Sequence, residues 1–192
     1  NAKWLKNAKL NIVDACFQNE DDSIAITFQE EGQNLQKITQ KALLTLVNQI
    51  ANGLVELGLK KGDNIAIDMP MTVEAVAIYL AGIKAGMPIV TIADSFTSNE
   101  IEVRLKITNP KVIFTQDILK RAEKELPLYS NVIEINAPKT IVFKTSKKDI
   151  KLRSNDIYWG DFLSSNTNFK TVIQQPDDII TILFSSGTTG EP

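Results

Sequence analysis

The chain has 192 residues, 43% hydrophobic and 23% charged, the balance of one soluble globular domain or a large piece of one. A net charge of −2 gives no electrostatic reason to expect a nucleic-acid partner, and no run approaches the ~18 apolar residues of a membrane span. The absence of histidine removes imidazole metal sites and Ser-His or Cys-His nucleophiles, and the lone Cys16 cannot form an internal disulfide, which fits a reducing, cytoplasmic setting.

Trp4-Leu5 and Leu10 to Val13 make an apolar leading segment that ends near Cys16, which reads as core rather than catalyst. Ser23 to Phe28 alternates like a strand. Thr39 caps a helix to about Leu57, with Leu43, Leu46, Val47, Ile50, Leu54 and Leu57 at helical spacing. Gly58 ends it, and Lys60-Lys61-Gly62-Asp63 turns the chain into a strand over 64–69; the two lysines serve the helix dipole and solvent. Thr72 caps a second helix to about Lys84, apolar nearly all round and therefore buried. Ala85-Gly86 closes it before a strand over 88–92. Met69, Met71 and Met87 are core fillers on this reading.

Ala93 to Ser98 is a loop of cap residues before a helix spanning about 100–107. Asn109-Pro110 breaks that helix, and Val112 to Thr115 is a strand. Asp117 is expected to cap a short helix carrying Lys120, Arg121 and Lys124, with a strand over 131–135 after it. Ile141 to Phe143 is a strand, Lys144 to Arg153 an exposed basic loop, Tyr158 to Leu163 a short helix, and Ser164 to Asn168 a polar linker. Pro176-Asp177-Asp178 precedes a last buried strand, Ile179 to Leu183. Alternating strands and helices predict an α/β fold: a mostly parallel sheet flanked by helices on both faces.

That last strand runs into Phe184-Ser185-Ser186-Gly187-Thr188-Thr189-Gly190-Glu191-Pro192. Two glycines and four hydroxyl side chains make a nest of donors suited to an anion, above all a phosphate. It is not a Walker A loop, because no Lys follows Gly190. It resembles the phosphate loop of the adenylate-forming superfamily, which includes acyl-CoA synthetases, luciferases and peptide-synthetase adenylation domains. Phe184 to Pro192 fill every slot of that pattern before its terminal Lys.

Other phrases point to the acetyl-CoA-synthetase-like branch and its plant acyl-activating relatives. They are Trp4-Leu5 with Leu10-Asn11 and Cys16, Leu57-Gly58 with Gly62-Asp63, Ile65-Ala66-Ile67-Asp68-Met69-Pro70-Met71, and Ala93-Asp94-Ser95-Phe96. The run Phe114-Thr115-Gln116-Asp117, then Arg121, Lys124 and Leu126-Pro127-Leu128, resembles a segment in which an arginine meets the nucleotide end of coenzyme A. A guanidinium clamps a phosphate at two points and keeps its charge. The same basic face also suits plain solvation.

The resemblance covers residues 4–192 and implies the first part of a large N-terminal adenylating domain, cut within the phosphate loop, with the rest of that domain and a small C-terminal domain beyond. It implies an ATP-dependent acyl-CoA synthetase that activates a small carboxylic acid as acyl-AMP and passes it to coenzyme A. Ser185, Ser186, Gly187, Thr188, Thr189 and Gly190 would hold the ATP phosphates, and Arg121 and Lys124 a CoA phosphate; Mg2+ accompanies ATP. No catalytic or metal-binding residue falls within the 192, so the piece alone is expected to be inactive. An acyl-AMP ligase with another acceptor, or a silent binding module, stays open, as does oligomeric state.

Overall fold

The computed structural model describes residues 5–121 and 124–185. The chain divides into two compact units, Asn1–Gly62 with Met71–Met87 and Leu163–Ile180, and Asp63–Pro70 with Pro88–Phe162 and Thr181–Pro192.

The first unit holds α1 (Ile12–Cys16), the antiparallel pair β1 (Ile24–Phe28) and β2 (Gln36–Thr39), α2 (Gln40–Glu56) and α3 (Val73–Lys84). Thr39 and Thr72 cap α2 and α3 by accepting from the amides of Ala42 and Ala75, as their positions before apolar runs predict. Along α2, Leu43, Val47, Ile50 and Leu54 form the buried stripe.

Both helices end in the same motif. Leu59 N–H reaches Leu54 O and Gly58 N–H reaches Val55 O; Met87 N–H reaches Gly82 O and Gly86 N–H reaches Ile83 O. Gly86 must be glycine on two counts: its φ is +75°, and a Cβ there would stand 3.0 Å from both Lys61 Cγ and Val172 Cγ1.

The polar linker over 164–168 lies along α2. Asn48 donates to Thr167 O at 2.8 Å, Asn52 to the carbonyls of Asn166 and Asn168 at 2.9 Å, and Ser164 to Glu56 at 2.6 Å. Lys61 does more than serve a dipole: it donates to Ile173 O at 3.1 Å and pairs with Asp178 at 2.6 Å. Cys16 is exposed, against the core reading; α1 is a single short turn held by Asn11 and Val13, and Cys16 falls on its outer side. Met71 is 88% exposed, whereas Met69 and Met87 are buried; Met71 sits in the turn before α3, where no apolar stripe claims it.

The second unit is built on a six-stranded, all-parallel sheet: β3 (Ile65–Asp68), β4 (Ile89–Ile92), β5 (Val112–Gln116), β8 (Lys139–Phe143), β9 (Ile157–Tyr158) and β10 (Thr181–Ile182), in the order β10-β4-β3-β5-β8-β9. The antiparallel pair β6 (Leu119–Arg121) and β7 (Lys124–Leu126) stands apart from it. Helices α4 (Ser98–Thr108) and α5 (Leu128–Glu134) cover one face, where Ile101, Leu105 and Val132 meet Ala66, Val90 and Ile113. On the other face Phe114 meets Trp159 and Phe162 of α6 (Trp159–Phe162), edge to face at 6.3 and 5.3 Å between centroids. The predicted parallel sheet with helices on both faces is present within this unit alone.

Three expectations fail here. Leu119–Arg121 and Lys124–Leu126 pair as antiparallel strands instead of forming a helix, because Asp117 caps nothing. Its carboxylate accepts from the amides and hydroxyls of Thr145 and Ser146 and from Ile118 N–H, which ties it to the segment after β8. Residues 131–135 are not a strand; they close α5, whose end at Asn136 (φ +47°) repeats the Ala137-to-Val132 and Asn136-to-Ile133 pairing of the other helices. Local β-branched content loses to packing of Val132 on the sheet.

The basic run over 144–153 is not plain surface either. Arg153 grips buried Asp156 through Nε at 2.7 Å and donates to the carbonyls of Ala137 and Pro138, while Tyr129 Oη donates to the same carboxylate. Burial matters at this spot: an unpaired charge would cost several kcal/mol, roughly 3–5 when one partner is removed.

Candidate functional site

In chain order the central strands run β3, then β4 on one side, then β5 on the other. Two crossovers therefore diverge at the carboxyl ends of β3 and β5, and that is where open parallel sheets leave a crevice for ligands. The sequence-predicted site residues that are described lie beyond the carboxyl ends of β10 and β5. Ser185 follows β10, exposed, three residues beyond Ile182. Ser186, Gly187, Thr188, Thr189 and Gly190 lie outside the described residues.

Arg121 ends β6, and its side chain is 57% exposed. Its Nη2 donates to both carboxylate oxygens of Asp94, in the loop after β4, at 3.1 and 2.9 Å. Lys124 opens β7 directly across the hairpin from Arg121 and is exposed, so two cations face each other in register. The hairpin thus assembles the basic pair that a helix was expected to carry. Exposure and charge suit this pair to an anion, and Asp94 is the partner the guanidinium holds.

Between these groups lies a residue that the sequence reading used only as part of a resembling phrase. Asp68, the last residue of β3, is fully buried, and neither carboxylate oxygen has a hydrogen-bond partner. It stands in register with Ile92 and Thr115. Burial, and secondarily the Asp94 carboxylate, push it up to about 7. The signal was present in sequence as a charged residue inside an apolar strand, Ile65-Ala66-Ile67-Asp68-Met69.

Asp117 shows the opposite behaviour a few residues away. Burial alone would raise it, but the hydroxyls of Ser146 and Thr145 and the amides of Thr145 and Ile118 outweigh that and hold it at about 2. It is a structural clamp between the ends of β5 and β8. Among the described residues, no group of three or more acidic or cysteine side chains gathers into a metal centre.

An all-parallel six-stranded sheet flanked by helices defines an α/β domain. The family model for AMP-binding enzymes matches residues 13–192, and the chain belongs to that family. It is 45% identical over 98% of its length to the probable peroxisomal acyl-activating enzyme 18 of Arabidopsis thaliana. It is 44% identical over its whole length to the hexanoyl-CoA synthase of Cannabis sativa. Each alignment covers 28% of the relative, so the chain spans less than a third of the length of the curated relatives it matches. Among solved structures, the acetoacetyl-CoA synthetase of Streptomyces lividans superposes with a TM-score of 0.90 at 23% identity, over 99% of this chain and 30% of that one, a likeness of fold.

Proposed function

We propose that the protein carrying these residues is an ATP-dependent acyl-CoA synthetase, which joins a small carboxylic acid to AMP and hands the acyl group to coenzyme A. The observation that carries this reading is the family match across residues 13–192, which includes the whole run from Ser185 to Gly190. Relatives named for hexanoyl-CoA and acetyl-CoA synthesis suggest a short or medium aliphatic acid.

On this reading Ser185, Ser186, Gly187, Thr188, Thr189 and Gly190 hold the β- and γ-phosphates of ATP through amides and hydroxyls. Their role is electrostatic: donors already in place meet the charge that develops on the leaving pyrophosphate. Mg2+ carried by ATP would neutralise part of that charge. Arg121, with Lys124 beside it, receives a phosphate at the nucleotide end of coenzyme A, exchanging Asp94 for the ligand. A reducing setting, the cytoplasm, suits a chain with one exposed cysteine, and the peroxisome named for the Arabidopsis relatives is the alternative compartment.

ATP–pyrophosphate exchange by the full-length protein over a panel of short, medium and branched acids is the test. Acid-dependent exchange that falls at least about a hundredfold in Thr188→Ala/Thr189→Ala is expected, the scale for losing oxyanion-type donors. Absence of exchange with every acid would overturn the reading. A second reading, an acyl-AMP ligase with an acceptor other than coenzyme A, draws on the Asp94–Arg121 pair, which neutralises the proposed CoA contact. Exchange without thioester formation would favour it.

A further inference from the structure

Arg104, in the middle of α4, is 8% exposed although it carries a permanent charge. Its Nη1 donates to Glu100 O at 2.8 Å, one turn back, and its Nε has no partner. The guanidinium carbon stands 4.0 Å from the ring centroid of Phe96 and 5.2 Å from that of Phe184. Phe96 belongs to the loop after β4, and Phe184 lies two residues past β10, immediately before Ser185. Both rings are half-buried against the α4–α5 face of the sheet. With Thr91, Ala93 and Leu183, these three side chains line a cavity of about 290 Å³ at the carboxyl ends of β4 and β10.

A buried arginine with an orphaned donor is an expensive way to fill space; methionine or leucine would pack there without desolvating a charge. What a planar cation supplies and an aliphatic chain does not is orientation, because it holds aromatic faces at a set distance and angle. Phe184 has no other anchor of that kind among the described residues.

We propose that Arg104 is a positioning residue for the phosphate loop: stacked against Phe96 and Phe184, it fixes the direction in which the chain leaves β10. It thereby sets the affinity for ATP without touching ATP. The inference rests on the adenylating function proposed above, in which the residues after Phe184 receive the ATP phosphates.

The test uses the full-length protein and Arg104→Met, Arg104→Lys, Phe184→Leu and the Arg104→Met/Phe184→Leu double variant. Steady-state exchange gives KM for ATP and for the acid, and hydrogen exchange reads the amides of residues 183–190 against those of 112–116. Arg104→Met should raise the KM for ATP about tenfold while the KM for the acid stays within twofold, and should speed amide exchange in 183–190 only. Arg104→Lys, which keeps the charge but loses the planar stack, should recover only part of the loss. The double variant should be no worse than the poorer single one, because one contact is removed twice.

Parallel rises in both KM values with a lowered unfolding temperature, or additive effects in the double variant, would overturn the proposal. Should Arg104→Met not fold, Phe96→Leu removes one stacking face and leaves the guanidinium; a threefold rise in the KM for ATP is expected, and a wild-type value refutes. If the wild-type protein shows no exchange with any acid, the functional reading fails on its own. Amide exchange in 183–190 then decides alone: faster in Arg104→Met supports the positioning role, unchanged overturns it.

Discussion

Arg121 donates through Nη2 to both oxygens of Asp94, at 3.1 and 2.9 Å, joining the hairpin after β5 to the loop after β4. The pair joins segments that follow two strands of one sheet, yet its arginine is more than half exposed. An exposed pair of this kind contributes only about 0.2–1 kcal/mol to stability; the proposed function gives it a weight in ligand binding instead.

Arg121→Ala should therefore lower the unfolding free energy in urea by less than about 1 kcal/mol and raise the KM for coenzyme A about tenfold in thioester formation, the worth of one charge-assisted bond. Asp94→Asn should move the KM the other way, by a few fold, since the guanidinium no longer leaves a carboxylate to meet the phosphate. An Arg121→Ala enzyme with an unchanged KM for coenzyme A would speak for a different acceptor.

Asp68 gives the second unit a pH dependence of defined sign. Its carboxyl is raised to about 7 from an ordinary value of 3.8, by burial first and by Asp94 second, while Arg121 faces Asp94. Between those two values the folded chain holds a proton that the unfolded chain releases. Its contribution to stability is therefore fully present below about 4, declines as pH rises through 7, and stays lost above that. Asp68→Asn should match wild type near pH 4 and exceed it at pH 8 by on the order of 1–3 kcal/mol. Urea titrations at both pH values measure this, and a difference that does not grow with pH would refute it.

Asp117 predicts the mirror image. Its carboxyl is held at about 2, so the stability it contributes is present above 3.8 and disappears as pH falls toward 2. At neutral pH, Asp117→Asn should cost about 2–3 kcal/mol, because an amide nitrogen would be turned toward the donors of Thr145 or Ser146. The gap between variant and wild type should narrow through pH 4 to 2 in an acid-unfolding series. A constant gap would mean that the loss is steric and not electrostatic.

Much of this molecule follows from order along the chain. Thr39 and Thr72 stand before apolar runs, Gly58 and Gly86 stand just past them, and each pair marks a helix whose ends are settled within a few residues by local hydrogen bonds. The short apolar strands between such helices leave a parallel sheet as the arrangement that buries both faces. The run after Leu183 reads as a candidate phosphate nest from composition and spacing alone, since such a nest is built from neighbours in sequence; residues 186–190 lie outside the described ones.

What only the tertiary structure decided depends on partners distant in sequence. Asp117 reads as a helix cap until Thr145 and Ser146 take its carboxylate, and the hairpin that carries Arg121 and Lys124 follows from that. Arg153 reads as surface until Asp156 is seen buried beneath it. Locally, Asp68 stands out only as an acid within an apolar strand, and Arg104 looks like any base on a helix. Their desolvation, the carboxylate of Asp94 and the rings of Phe96 and Phe184 are supplied by other strands and loops, so no local window of sequence contains them. Local propensity and capping act over four or five residues, whereas burial and electrostatics are set by whichever segments the sheet brings side by side.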